Sequence, residues 1–262
     1  MRRINILLIV LLIIVGAAFI TGKIYTGFIV SDNIPSISCP NERIEVSVNA
    51  DEKAILEGVT ASDPEDGDLT SKVMIASISK LISADRAKVT YIVFDSDHNA
   101  AQATREIRYT DYTRPHFELK SPMIFTVGQS VTFDGKLSCT DVLDGDMTDS
   151  IRVSALDVST SAAGNYTATV FVTNSMGDTA KVPIQIRMVE DATEERYVKL
   201  TKYIAYVKEG SVFNAEEYLV AGETGVEWSG EVDTSTKGSY FVTYTKNDGA
   251  AVITSILTVV VE

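Results

Sequence analysis

The chain has 262 residues, and its 23 Lys+Arg against 36 Asp+Glu give a formal net charge of −13. That balance excludes nucleic acid as a partner, because phosphates demand a basic footprint, and argues against docking on anionic lipid headgroups. With only 2 Cys and 2 His, a disulfide framework and a four-cysteine zinc site are excluded as well.

The first predicted element is apolar. Arg2 and Arg3 precede INILLIVLLIIVGAAFI, residues 4–20, which contain no charge and no proline. As a helix this run is about 26 Å long at about 1.5 Å per residue, near the short end of a bilayer span. The paired arginines keep the N-terminus cytoplasmic and place residues 23–262 outside the cell. The expectation is a transmembrane signal anchor over 1–22, with the membrane contacted through residues 4–20, then a linker over 23–33. The alternative is secretion after cleavage near Ala18, with Gly16 and Ala18 as the small residues before the cut. The anchor is preferred because the run is long for a signal core. The sequence also has no lipobox cysteine and no LPxTG-type sorting motif to hold the protein at the cell.

Beyond the linker the chain repeats itself. Asp-Gly-Asp at 66–68 recurs at 144–146, an offset of 144 − 66 = 78. TYIVFDSDHNAA (90–101) lies over TVFVTNSMGDTA (169–180) at 169 − 90 = 79. A divergent third copy places DVSTSAAGNYTATVFV (157–172) over EVDTSTKGSYFVTYTK (231–246). These stretches alternate with period two. Tyr166, Ala168, Val170 and Val172 share one strand face, as do Tyr240, Val242 and Tyr244 in the third copy and Val89, Tyr91 and Val93 in the first. A slip of one residue would exchange the buried and solvent faces, so the shared phase ties the copies to one architecture. Short strands with Gly, Asn and Asp turns, and no long amphipathic helix after residue 22, predict an all-β protein of small two-sheet sandwiches. The domains expected are 34–110, 111–190 and 191–262. Arg114–Pro115 marks a strand start at the first boundary. The charged stretch 189–200 at the second boundary predicts a looser joint or a short helical turn.

The Asp-Gly-Asp segments are open to two readings. As a metal site, Asp63, Glu65, Asp66 and Asp68 in the first copy and Asp141, Asp144 and Asp146 in the second supply carboxylates for Ca2+, which takes six to eight oxygen ligands. As a turn, Gly67 and Gly145 adopt positive φ and the aspartates cap nearby backbone N–H groups. Leu69 and Met147 are then core anchors, and Thr70 and Thr148 make local backbone bonds. No catalytic constellation appears: His98 lies in a turn, His116 begins a strand, and no G-x-S-x-G elbow is present. No enzyme activity is expected. Cys39 and Cys139 fall in different copies and do not form a matched pair within one domain. The sole tryptophan, Trp228, lies between charges in GVEWSGEV and is the candidate ligand contact.

GVTASDPEDGDLTSKV (58–73) followed by YIVFDSDHNAAQATREIRYTD (91–111) resembles the bacterial surface immunoglobulin-like repeat. That repeat occurs in tandem in Gram-positive surface proteins and in a pesticidal crystal toxin, and is hyalin- and cadherin-like in style. CTDVLDGDMTDSI (139–151) with AGNYTATVFVTNSMGDTA (163–180) matches it again. The third copy has no Asp-Gly-Asp and rests on its last two strands. The resemblance implies three tandem Ig-like β-sandwich domains after the transmembrane helix, at the cell surface, serving as an adhesion, binding or display rod. The partner would be a surface protein or glycan. Two other roles stay open: a structural spacer or envelope-complex accessory subunit without a soluble ligand, and a calcium-stiffened cadherin-like module.

Overall fold

The computed structural model describes residues 15–18, 34–191 and 196–262. The expected anchor at 4–20 and linker at 23–33 therefore lie outside the described residues, apart from 15–18, which are helical. Among the described residues no helix is long and apolar enough to cross a membrane.

The protein is all-β. It divides into two compact units, Met1–Thr110 and Asp111–Glu262. In the first unit, β1 (Ser36–Ser38), β3 (Thr60–Asp63) and β4 (Gly67–Asp68) form one sheet in the order β1-β3-β4. The other is β2-β7-β6-β5, from β2 (Arg43–Val46), β5 (Met74–Ile78), β6 (Arg86–Phe94) and β7 (Ala100–Tyr109). The opening strand switches sheets between β1 and β2. Pro40 sits in that gap, where its missing N–H interrupts the ladder. After the switch, β2 runs parallel to β7.

The second unit begins with the same plan. β8 (His116–Leu119), β10 (Leu137–Asp141) and β11 (Gly145–Asp146) form a sheet in the order β11-β10-β8. β9 (Met123–Thr126), β12 (Arg152–Asp157), β13 (Gly164–Thr173) and β14 (Thr179–Val189) form β12-β13-β14-β9, with β9 parallel to β14. Pro122 occupies the switch. The predicted phase is the inward face: Val89, Tyr91, Val93, Ala168, Val170, Val172, Val242 and Tyr244 are all buried.

The third repeat differs from a two-sheet sandwich. β15 (Ile204–Val207), β16 (Val226–Ser229), β17 (Gly238–Asn247) and β18 (Val252–Val261) form β15-β18-β17-β16, again with a parallel pair, β15 with β18. Opposite this sheet the described residues contain only an isolated bridge, Leu200 to Leu219. The physical reason is the lost Asp-Gly-Asp hairpin. Without it, the stretch after the short 3-10 helix Ala215–Tyr218 pairs only at that bridge before β16 begins.

The second boundary is also tighter than the sequence predicts. Residues 192–195 lie outside the described residues. The repeats on either side share one continuous hydrophobic core, which includes Phe117, Ile184 and Ile186 from the second and Val198, Tyr203 and Leu257 from the third. Polar bonds fasten it. Phe117 N donates to Tyr206 Oη at 2.7 Å, the His116 ring packs on Tyr206 at 3.9 Å, and Thr258 Oγ1 donates to the Pro183 carbonyl at 3.2 Å.

Candidate functional site

The two Asp-Gly-Asp turns are built alike. Asp63 Oδ1 accepts from Glu65 N at 2.8 Å and Asp66 N at 3.0 Å. Asp141 Oδ1 accepts from Leu143 N at 2.8 Å and Asp144 N at 3.0 Å. Gly67 at φ +72° and Gly145 at φ +71° then turn the chain through the left-handed region that glycine tolerates. Asp68 Oδ1 caps Thr70 N at 2.8 Å, and Asp146 Oδ1 caps Thr148 N at 2.9 Å. Thr70 Oγ1 accepts from Ala61 N at 3.2 Å, as Thr148 Oγ1 does from Cys139 N at 3.2 Å. Leu69 and Met147 are buried just beyond the turns.

The middle aspartate reaches further. Asp66 accepts from Ser96 N at 2.6 Å and Ser96 Oγ at 2.8 Å, tying the turn to the β6–β7 hairpin. Asp144 holds Ser175 in the same way, at 2.6 Å and 2.7 Å. The Ser96 bonds, side chain first, keep the Asp66 carboxyl below its ordinary range. Bonds to Thr70 and Thr148 do the same for Asp68 and Asp146. The Glu65 side chain is exposed, and only its backbone N–H joins the turn.

The aspartates named for calcium are thus distributed among separate capping tasks, and the Glu65 carboxylate takes no part in them. Among the described residues, no group of three or more His, Cys, Asp and Glu side chains is gathered closely enough to hold a metal ion. Sequence reasoning missed Ser96 and Ser175. The available signal was a serine at the same place in both hairpins, at the 79-residue offset.

Trp228 lies on β16, opposite Tyr244 on β17, and is 45% exposed. β16 is an edge strand, like β5 and β12. Those two each carry a register shift, at Ile75/Ser77 and Val153/Ala155, which blunts an open edge. β16 pairs regularly from Val226 to Ser229. Gly230 follows it at φ +113°, and a Cβ there would meet the Phe241 carbonyl oxygen at 2.3 Å, so only glycine lets β16 lie against β17. Both cysteines are free, Cys139 buried and Cys39 half-buried.

No family model matches the chain. Over 162 residues, 59% of this chain, it is 25% identical to the pesticidal crystal protein Cry22Aa of Bacillus thuringiensis, and it spans 22% of that protein's length. Among solved structures, the M60 catalytic domain with two CBM51 domains of Clostridium perfringens ZmpB matches at TM-score 0.26 and 10% identity, over 64% of this chain and 32% of that one. A CBM51-2 structure of ZmpB in complex with GlcNAc matches at TM-score 0.25 and 22% identity, over 56% and 26%. Drosophila N-cadherin EC1-4 matches at TM-score 0.24 and 13% identity, over 88% and 75%.

Proposed function

We propose that the chain is a membrane-anchored extracellular protein of immunoglobulin-like repeats, of Gram-positive bacterial type, that binds or displays at the cell surface and performs no reaction. The observation that carries this is the reuse of one framework. The parallel pairing of the opening strand, the inward phase and, in two copies, the Asp-Gly-Asp clasp to a hairpin serine are repeated, while the polar residues serve turns. The segmental identity to Cry22Aa supports the same style of repeat. The contact surface is the regular edge of β16 with Trp228, and its partner is a surface protein or glycan. Protease treatment of intact cells, followed by mass spectrometry, tests the location. Release of peptides from 34–262 together with retention of 1–22 in the membrane fraction is expected. Protection of the whole chain would overturn the reading, and a mature N-terminus at Phe19 would replace the anchor with secretion.

A second reading, a structural spacer without its own ligand, is favoured by the continuous core between the second and third repeats. Substituting Trp228→Ala separates the two. A binding module loses retention on cell-wall material, and a spacer does not.

A further inference from the structure

The repeats supply an internal control for one side chain. In the second repeat Asn174 opens the hairpin between β13 and β14. Its Oδ1 accepts from Asp178 N at 2.9 Å. Its Nδ2 donates to Tyr112 Oη at 2.8 Å and to Asp141 Oδ2 at 3.2 Å. Asp141 is buried, and this bond serves the carboxylate oxygen that does not cap the turn.

In the first repeat Asp95 takes that place, since 174 − 95 = 79 is the offset that carries β6 onto β13. The loops agree: Asp95 N donates to the Asn99 carbonyl at 3.1 Å, and Asn174 N to the Asp178 carbonyl at 2.9 Å. Asp95 Oδ1 accepts from Asn99 N at 2.7 Å, the bond that Asn174 Oδ1 makes. Asp95 Oδ2 therefore stands where Asn174 has Nδ2, and a donor has become an acceptor. Asn99 Nδ2 reaches Asp95 Oδ2 at 2.8 Å. Asp63 is only 6% exposed, and its buried Oδ2 has no hydrogen-bond partner among the described residues.

A buried carboxylate oxygen without a donor is costly, and in the second repeat the Asn174 amide supplies that donor to Asp141. A cation bound there removes the penalty. We infer that the first repeat holds one hard divalent cation of the calcium class at Asp63 Oδ2 and Asp95 Oδ2, and that the second repeat does not. All-oxygen donors select calcium or magnesium over softer metals. Two carboxylates, with backbone carbonyls and water completing the shell, fit a weak extracellular site with Kd of about 0.1–1 mM. Asp66, Asp68, Asp144 and Asp146 remain turn caps in this scheme. The inference does not rest on the binding or display role and survives that role's failure.

The test exchanges the residues between repeats. The full chain is melted in millimolar CaCl2 or MgCl2 and in chelator, with hydrogen exchange of β3 and β6 amides reporting the first unit. Wild type should gain about 5 °C or more at saturating cation. Asp95→Asn, the second repeat's own residue, should melt higher than wild type in chelator and lose the cation response. Asn174→Asp should create a response in β10 and β13. Asp66→Ala should lower the midpoint yet keep the response. Wild type melting identically in both conditions, or Asp95→Asn keeping the full response, overturns the inference. Stabilisation by Asp95→Asn without any cation response in wild type overturns it too.

Discussion

Arg105 is 2% exposed, in the core of the first repeat, where the repeats otherwise place aliphatic residues. It pairs with Val89 across β6 and β7, whereas Ile184 pairs with Ala168 and Leu257 with Val242 at the matching positions. Its bonds all run to neutral oxygens. Nε and Nη2 donate to Tyr91 Oη at 3.1 Å and 2.8 Å, Nη2 to the Ile55 carbonyl at 2.7 Å, and Nη1 to the Glu57 carbonyl at 3.0 Å. Ile55 closes α1 (Glu52–Ile55), the short helix over this part of the core. In Arg105→Ala, Tyr91 Oη still donates to the Ile55 carbonyl at 2.7 Å, so the Glu57 carbonyl alone is orphaned. That orphan costs about 1–3 kcal/mol. The cavity left by the aliphatic stem adds about 2 kcal/mol, for a total of about 3–5 kcal/mol. In Arg105→Leu the volume is mostly kept and a buried charge is removed, which offsets the orphan. The leucine variant should therefore be at least about 2 kcal/mol more stable than the alanine variant. Urea unfolding of the full chain, read by hydrogen exchange at β6 and β7, measures both. An alanine variant within about 1 kcal/mol of wild type, or a leucine variant as unstable as alanine, would refute the assignment of the guanidinium as the fastener of α1.

Burial first, then the charges of Asp141 and Asp146, push the Cys139 thiol up to about 12, so iodoacetamide at pH 8 should modify Cys39 in the native protein and reach Cys139 only after unfolding. Asp66, Asp68 and Asp146 have folded pKa values below the ordinary carboxylate value of about 3.9. The stability they contribute is therefore complete above about pH 4 and is lost as pH falls through the folded values. Unfolding midpoints should drop in that window, and Asp66→Asn should flatten the drop. Gly230→Ala forces Cβ onto the Phe241 carbonyl at φ +113° and should cost about 1–3 kcal/mol, with a red shift in Trp228 emission as β16 lifts away. Tyr206→Phe removes the acceptor of Phe117 N and should cost about 1–3 kcal/mol, lowering the second and third repeats together in calorimetry.

The strand faces were legible because a half-buried strand writes its burial into alternate residues, and the phase of Tyr166, Ala168, Val170 and Val172 reappears as graded burial along β13. The turn role of Asp-Gly-Asp was legible because glycine at positive φ and a capping aspartate are local, within four residues of each other. What was not legible is long-range. The Asp66–Ser96 clasp spans 30 residues, and nothing local to either residue specifies the other. Arg105 reads as a surface residue in ATREIRYTD, because two of its partners are carbonyls, which leave no mark in a sequence, and the third is the hydroxyl of Tyr91, 14 residues away. That the described residues of the third repeat have an isolated bridge in place of a second sheet was announced only by the absent Asp-Gly-Asp, and an absence does not say what replaces it.

The replacement explains why the second and third repeats share a core. A sheet with one apolar face must bury it, and a partner sheet does so with ladder bonds that support one another. The third repeat covers β15, β17 and β18 with irregular chain instead: Val198 and Tyr203 on one side, Ala215 on the other, all buried. Single bonds hold this cover, Ser255 Oγ to the Val198 carbonyl at 2.6 Å and Tyr244 Oη to the Ala215 carbonyl at 2.7 Å. Such a cover is weaker than a sheet, and the deficit is made up by continuing the core into Phe117, Ile184 and Ile186 of the second repeat. The first repeat forms a compact unit of its own, and its extra fasteners are internal. They are the buried Arg105 fork on α1 and Tyr91 Oη on the Ile55 carbonyl at 2.7 Å. The same tyrosine position serves both devices, since Tyr91 and Tyr244 each donate to a carbonyl of the short helix above them. In the second repeat that position is Val170, with no such helix to hold, and there the hairpin asparagine Asn174 anchors Asp141 and Tyr112 instead.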